Sequence, residues 1–314
     1  MDKKIISVVV PCYNEAGNVK ELYLAIQREF QKLFQYDFNI IFIDNASTDR
    51  TVNILREMAK QDTRVKVIVN SRNFGWIRSP YYGLLQATGD AAIFMACDFQ
   101  NPPELISQFI KKWEEGFKIV IGVRSKTDES LLMSGVRSFY YKLLKRLSDS
   151  DVELVSYFTG FGLYDKEIIG ILQKIDDPCP LLRSIICEIG FEKAEVKYIQ
   201  PNRKKGLSSG SFYRLYDTAI LGITSTSKIP LRLATFIGFG LSFVSLVVSV
   251  SYLIAKLIFW NEFSMGIAPV LFGLFFFAAV QLFFIGIIGE YIGAIYTNVQ
   301  NRPLVIEKER INFD

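Results

Sequence analysis

The sequence predicts a doubly wound α/β domain built on a mostly parallel sheet, followed by an interfacial amphipathic segment and a two-helix membrane hairpin. Three observations lead there. Apolar runs at 5–10, 38–43, 65–69 and 91–97 are short, nearly unbroken and rich in β-branched or aromatic residues, as strands buried on both faces are. Helix-like stretches at 17–34, 49–61 and 79–88 alternate with them, the pattern of a parallel sheet covered on both sides. Further on, residues 234–255 and 266–289 carry no charge.

The first strand opens close to the N-terminus. "MDKKIISVVVPCYNE" runs straight into it without a small-residue cleavage site, so no signal peptide is expected. Doubly wound sheets bind ligands beyond the carboxyl ends of their strands. Tyr13-Asn14-Glu15, Asp44-Asn45 and Asp98-Phe99-Gln100 each follow one of the runs, and so should converge on one rim. The α/β domain is expected over 1–207 and the amphipathic juxtamembrane segment over 208–232. The spans fall within 233–289 and a C-terminal tail over 290–314. The charge-free stretches of 22 and 24 residues make helices of about 33 and 36 Å, enough for a bilayer core of roughly 30 Å. Trp260 lies in the connector, as an interfacial aromatic would. Lys228 and Arg232 precede the hairpin, and Arg302, Lys308 and Arg310 follow it. Basic flanks at both ends place the α/β domain and the tail in the cytosol.

Composition removes several classes of function. Histidine is absent, which excludes His-containing hydrolase triads and His-ligated zinc. A formal net charge of +4 without a basic run does not suit a nucleic-acid binder. Cys12, Cys97, Cys179 and Cys187 stand apart with no CxxC pair, as reduced, buried thiols do.

Asp44 ends a buried run before "NASTDRT". Two readings stay open: the carboxylate caps the turn into a helix started by Ser47, Thr48 or Asp49, or it accepts a hydrogen bond from a nucleobase or ribose. Asp98 and Gln100 are two apart, which in an extended segment turns both side chains the same way. A carboxylate, an amide oxygen, substrate phosphates and waters complete an octahedron around Mg2+ or Mn2+. Ala96 stands where a second carboxylate would fit. Arg124 and Arg137 flank a loop, and Arg203, Lys204 and Lys205 sit beside glycines and serines. These are either solvated loops or phosphate clamps.

Together these residues resemble family 2 glycosyltransferases that load a sugar onto a polyprenyl phosphate, the bactoprenol glucosyltransferase type among them. "VVVPCYNE" resembles the family's first strand and loop, and "FIDNASTDRT" its "DDGSxDxT" turn with Asn45 and Ala46 as departures. "RNFG", "GLLQATGD", "QNPPE" and "IIGEYIGAIYTNVQNRP" follow in the family's order. The resemblance implies a GT-A-like fold and inverting transfer from a nucleotide sugar, UDP-glucose first, to a polyprenyl phosphate in a bilayer. It implies that Pro11, Tyr13, Glu15 and Asp44 hold the nucleoside and that Asp98 and Gln100 bind the metal. Arg124 and Arg137 would meet the acceptor phosphate. Arg203 would serve the diphosphate or acceptor, with Lys205, and the assembly would be a homo-oligomer, a tetramer by resemblance. The family's first metal-motif Asp is Ala96 here. Gly160, in "TGFGLYD", stands where relatives often carry another Asp, and "WIRSPYY" replaces a short polar segment and alanines. A phosphate monoester is already largely dianionic at neutral pH, so the acceptor needs no general base. Rival readings are a degenerate transferase that scaffolds partners, a processive synthase, which would need more spans, and a transporter, which two spans do not enclose.

Overall fold

The computed structural model describes residues 3–125, 155, 157–201, 228–259 and 267–313. One unit is an eight-stranded mixed sheet with helices on both faces. Its elements are β1 (Lys4–Cys12), α1 (Val19–Gln31), β2 (Tyr36–Asp44), α2 (Thr51–Gln61), β3 (Val65–Asn70), α3 (Gly75–Leu85) and β4 (Ala91–Phe94). They continue with α4 (Ile106–Glu114), β5 (Ile119–Arg124), β6 (Phe158–Asp165), α5 (Lys166–Leu172), α6 (Leu182–Glu188), β7 (Lys193–Tyr198) and, after the long helices, β8 (Glu307–Ile311). The strand order is β7-β5-β6-β4-β1-β2-β3-β8.

β1 lies at the centre, parallel to both β2 and β4. Its alternate side chains feed two cores. Ile6, Val8 and Val10 join α1, α2 and α4 on one face, while Val9 joins α3, α5 and α6 on the other. Ile6, Val8, Val9 and Val10 are fully buried, each contributing about 1.5–3 kcal/mol of burial. The β1–β4 ladder ends at Val9↔Phe94, so Pro11, with no N–H to give, falls beyond it.

The helix expected at 79–88 begins earlier, at Gly75, and carries Pro80 inside it. β6 and β8 run antiparallel to their neighbours. The stretch expected as a tail over 290–314 is a helix to Val299 and then a strand, Glu307–Ile311. β8 has no apolar run because it is an edge strand, where charge protects the open ladder. It pairs with β3, and Glu309 takes two 3.1 Å bonds from the Arg56 Nε. Asn312 donates to the carbonyls of Ala59 and Val65 at 2.8 and 2.9 Å.

The other unit holds α7 (Ile229–Ile258) and α8 (Ile267–Val299). At 30 and 33 residues they are longer than the charge-free stretches alone, about 45 and 50 Å. Both are long and apolar enough to cross a membrane. Phe236, Phe239, Phe275 and Phe283 stand exposed on them. Soluble monomers rarely expose an apolar surface of that extent.

At the end of α2, Asp62 ties three elements together. It accepts from Tyr23 Oη of α1 at 2.6 Å and from the Nε and Nη2 of Arg64 at 3.0 and 2.7 Å. The Arg64 bonds hold its carboxyl down at about 2, burial opposing and Tyr23 helping. The unfolded value is about 3.9, so this stabilisation is present above that pH and lost as the pH falls towards 2. Asp62→Asn should therefore cost on the order of 1–2 kcal/mol at pH 7. In denaturation of the detergent-solubilised protein, its deficit against wild type should narrow below pH 4. A deficit independent of pH would contradict the assignment.

Candidate active site

Parallel pairing sends the carboxyl ends of β1, β2, β3, β4, β5 and β7 to one rim, joined there by the start of the antiparallel β6. At the β2 end of the rim, side chains sew the loops together. Asn14 accepts from Thr48 N at 2.8 Å, and its own N–H donates to Ser47 Oγ at 2.8 Å. The N–H groups of Glu15 and Ala16 donate to Thr51 Oγ1 and Asp49 Oδ2 at 2.9 and 3.2 Å. The polar residues of "NASTDRT" thus hold the neighbouring loop. Of Ser47, Thr48 and Asp49, the expected caps of the helix, Asp49 takes the part: its Oδ1 accepts Thr51 N at 2.9 Å in the first turn, while Arg50, between them, makes no side-chain capping bond.

Asp44 is fully buried. Its Oδ1 accepts Ser47 N at 2.9 Å and its Oδ2 accepts the Ser47 hydroxyl. Burial pushes this carboxyl up while the Ser47 bonds oppose the rise. The turn-capping reading of Asp44 is what the geometry displays. Asn45 uses its whole amide: Nδ2 donates to Asn73 Oδ1 and the Gly75 carbonyl, both at 3.0 Å. Its Oδ1 accepts from Phe74 N at 2.9 Å and Asn70 Nδ2 at 3.1 Å. Tyr13 stands half exposed on the rim, whereas Glu15 is buried and accepts from Asn18 Nδ2 at 2.5 Å. Pro11 lies one residue inside the end of β1, opposite Ile43.

Beyond Phe94 the chain is a turn, not the extended segment that two-residue spacing suggested. Phe99 adopts φ 63°, and Gln100 N donates to Asp98 Oδ1 at 3.1 Å. Ala96, Asp98 and Gln100 remain partly exposed while Cys97 and Phe99 are buried, so the turn still leaves all three positions accessible. Ala96 N donates to Asn101 Oδ1 at 2.7 Å. Beneath this loop, burial and the adjoining Cys97 thiol push the Cys12 thiol up. It stays protonated there, an apolar floor for the site.

Arg124 ends β5. Its Nη1 donates to Gln200 Oε1, while its buried Nε has no hydrogen-bond partner among the described residues. Tyr198, opposite Arg124 on β7, receives the Asn101 amide at 3.2 Å and meets the Thr159 side chain. Burial pushes its phenol up, with Arg124, Asn101 and Thr159 pulling the other way. The rim therefore brings together Tyr13, Asp44, Asp98, Gln100 and Arg124. Arg137, Arg203 and Lys205 lie outside the described residues, as do Lys204 and Trp260. Tyr198, Asn101 and Thr159 were not read from the sequence, because nothing in their local pattern separates them from ordinary strand and turn residues.

Four non-glycine residues on this rim, Asn14, Ala46, Phe99 and Tyr157, have φ between 56° and 66°. Such positions cost of order 1–3 kcal/mol each and cluster where ligands bind. A carboxyl-edge rim of this make-up, on a doubly wound sheet, defines a transferase domain of the GT-A type. Residues 7–169 match glycosyl transferase family 2. The chain belongs to that family and is a glycosyltransferase. The SfII prophage-derived bactoprenol glucosyl transferase of Shigella flexneri is 33% identical over 305 residues, covering 97% of this chain and 97% of the relative. The prophage bactoprenol glucosyl transferase homolog of Escherichia coli K12 is 31% identical, covering 96% and 98%. Among solved structures, the mannosyltransferase PcManGT from Pyrobaculum calidifontis, in complex with GDP-Man and Mn2+, is 15% identical. It covers 96% of this chain and 89% of that one, with a TM-score of 0.45.

Two departures from the family turn should respond oppositely when reverted. Asn45→Asp removes two donors and points a carboxylate at two acceptors, a cost of about 2 kcal/mol, or roughly 5 °C in melting temperature. Ala46→Gly relieves the left-handed alanine (φ 61°) and should be neutral or stabilising by up to about 1 kcal/mol. Thermal denaturation in detergent decides both, and a harmless Asn45→Asp would refute the network.

Proposed function

We propose that this chain transfers glucose from a nucleotide sugar, UDP-glucose being the donor to test first, to a polyprenyl phosphate, with inversion at the anomeric carbon. What carries the proposal is the order of groups along the rim: Tyr13 and Asp44 at β1 and β2, Asp98 at β4, Arg124 at β5. Asp44 and Arg124 end strands four places apart, about 19 Å at ~4.8 Å per strand. That leaves room for a nucleoside, a diphosphate and a sugar in sequence, with the acceptor at the far end. Relatives named bactoprenol glucosyl transferase match over nearly the whole chain, apolar helices included, which supports the lipid acceptor and the glucose.

Tyr13 offers the nucleoside an exposed ring. Asp44 acts at one remove, holding Ser47 and with it the Asn14 loop. Asp98 and Gln100 offer one carboxylate and one amide oxygen two residues apart in the turn, hard donors suited to Mg2+ or Mn2+. Among the described residues no three acidic, Cys or His side chains are placed to hold a metal ion together, and substrate oxygens would fill the remaining positions. Bound there, the ion would neutralise the charge of the departing nucleoside diphosphate. The acceptor oxygen attacks the anomeric carbon as the bond to the diphosphate breaks. That oxygen carries no proton to remove, so an acid- and His-poor site suffices provided the anions are brought together. Arg124, with its unmet Nε donor, and Arg137 would steady the incoming phosphate. Arg203 and Lys205 would add charge where the lipid headgroup arrives.

The proposed setting is a membrane with the catalytic unit in the cytosol. α7 and α8 interrupt a single fold: the chain leaves after β7 and returns to complete the sheet with β8. Two crossings bring it back to the side it left, and the basic flanks assign that side.

Radiolabel transfer from a panel of nucleotide sugars to undecaprenyl phosphate in detergent tests the proposal. UDP-glucose should give an organic-extractable, mild-acid-labile product that EDTA abolishes. Asp98→Ala should lower turnover at least 100-fold, about 2.7 kcal/mol, at unchanged melting temperature. Asp98→Ala turnover within twofold of wild type would end the metal assignment, and nucleotide binding without transfer from any donor would favour a scaffold.

A further inference from the structure

Beside the Asp98 loop lies a cleft that the proposed mechanism does not yet use. Trp76 and Pro80 of α3 wall it on one side, with Phe94 at the end of β4, Thr159 on β6, and Leu182 and Arg183 at the start of α6. We infer that this cleft seats the transferred sugar, and that Trp76 governs which sugar is accepted. The inference rests on the sugar transfer proposed above and deepens it.

Position is the first ground. β6 is the next strand after β4 on the side away from β2. The cleft is therefore one strand past Asp98 along the line that begins at Asp44. A donor with its nucleoside near Tyr13 and its diphosphate near Asp98 delivers its sugar there. The cleft is also wired to the catalytic loop, since the Thr159 side chain meets Tyr198, whose hydroxyl accepts from Asn101.

Chemistry is the second. The walls are largely apolar, but not uniformly. Trp76 is 50% exposed, and its indole suits the C–H side of a pyranose ring. Thr159 and Arg183 add a hydroxyl and a guanidinium to the lining. Pro80 lies inside α3 and has no N–H, so the Trp76 carbonyl lacks its i+4 partner and can accept from a sugar hydroxyl. An aromatic face rimmed by a few donors and acceptors suits a sugar. An isoprenoid chain would leave the polar groups unmet.

Gly160 keeps the space open. Its φ of +98° disfavours any side chain, and a Cβ there would stand 3.3 Å from Leu182 Cδ2 and 3.6 Å from Phe94 Cε1. A side chain at this position would press on two walls of the cleft. The absence of a carboxylate at Gly160 is thus a property of the cleft's shape.

The test uses full-length protein in detergent, with Trp76→Ala and Trp76→Phe compared with wild type. UDP binding should stay within twofold in both variants, and so should the melting temperature. For Trp76→Ala, kcat/KM with UDP-glucose should fall at least 10-fold, and Trp76→Phe should recover most of it. The ratio of kcat/KM between UDP-glucose and UDP-N-acetylglucosamine should shift at least fivefold in Trp76→Ala. Parallel losses in UDP binding and transfer would place Trp76 at the nucleotide and overturn the inference, as would unchanged transfer and ratio. Wild-type protein that transfers from no donor would overturn the transfer proposal and the inference with it. Wild-type transfer beside an indifferent Trp76→Ala would overturn the inference alone.

Discussion

The parallel pairing of β1 with β2 on one side and β4 on the other is the constraint from which the site follows. Strands that run the same way end at the same edge, so their loops leave the sheet side by side with backbone groups that no ladder can satisfy. In this chain those groups are met by side chains of the adjoining loop: Ser47 Oγ accepts from Asn14 N while Asn14 Oδ1 accepts from Thr48 N, Thr51 and Asp49 reach back to Glu15 and Ala16, and Asn45 reaches forward to Phe74 and Gly75. Each loop is shaped by its neighbour, which is why left-handed residues are held in three successive strand-end turns. The strain fixes a rim whose polar atoms are already oriented before a ligand arrives, and orientation is what this chemistry requires of its protein.

Much of this was legible in the sequence, for a physical reason. β1 to β4 are buried on both faces, so they declare themselves as apolar runs whose limits match the observed strands to within a few residues. β8 hid because it is an edge: Glu307, Glu309 and Arg310 are paired across to α2 and α3 or along the strand, and a charged edge strand reads like any polar tail. α3 was placed too late because Pro80 looks like a helix start. It sits instead one turn inside, at the cost of a carbonyl partner. At the site, the acids that end strands were visible, since a carboxylate closing an apolar run is conspicuous. Tyr198 was not, because its importance comes from three other segments meeting its ring, and long-range meetings leave no local trace.

The departures from the family pattern fall into two kinds once the geometry is known. Asn45 and Ala46 belong to the scaffold. Asn45 makes four hydrogen bonds, two of them donated by Nδ2, which an aspartate could not make, and Ala46 accepts a backbone conformation that glycine would adopt more cheaply. Ala96 and Gly160 lie in the turn after β4 and on β6, beside the positions proposed for the ligands. At Ala96 the N–H is used by Asn101 to set the turn, while the side chain gives up one oxygen donor. At Gly160 the backbone itself, at φ +98° and with its carbonyl held by the Tyr164 hydroxyl at 2.6 Å, leaves no comfortable place for an acid.

Those last two losses have a common consequence. Each removes a negative charge from the stretch of rim proposed above to receive a diphosphate and a second phosphate together, while Arg124 remains at its end. Repulsion between like charges held within a few ångströms in a partly dry site is large compared with the one or two bonds a carboxylate could add. A nucleophile that arrives already ionised gains nothing from a base. For the proposed reaction, then, fewer acids along β4 and β6 would lower the electrostatic cost of assembling the reactants, and Asp98 would have only to share a cation whose other ligands the substrates bring with them.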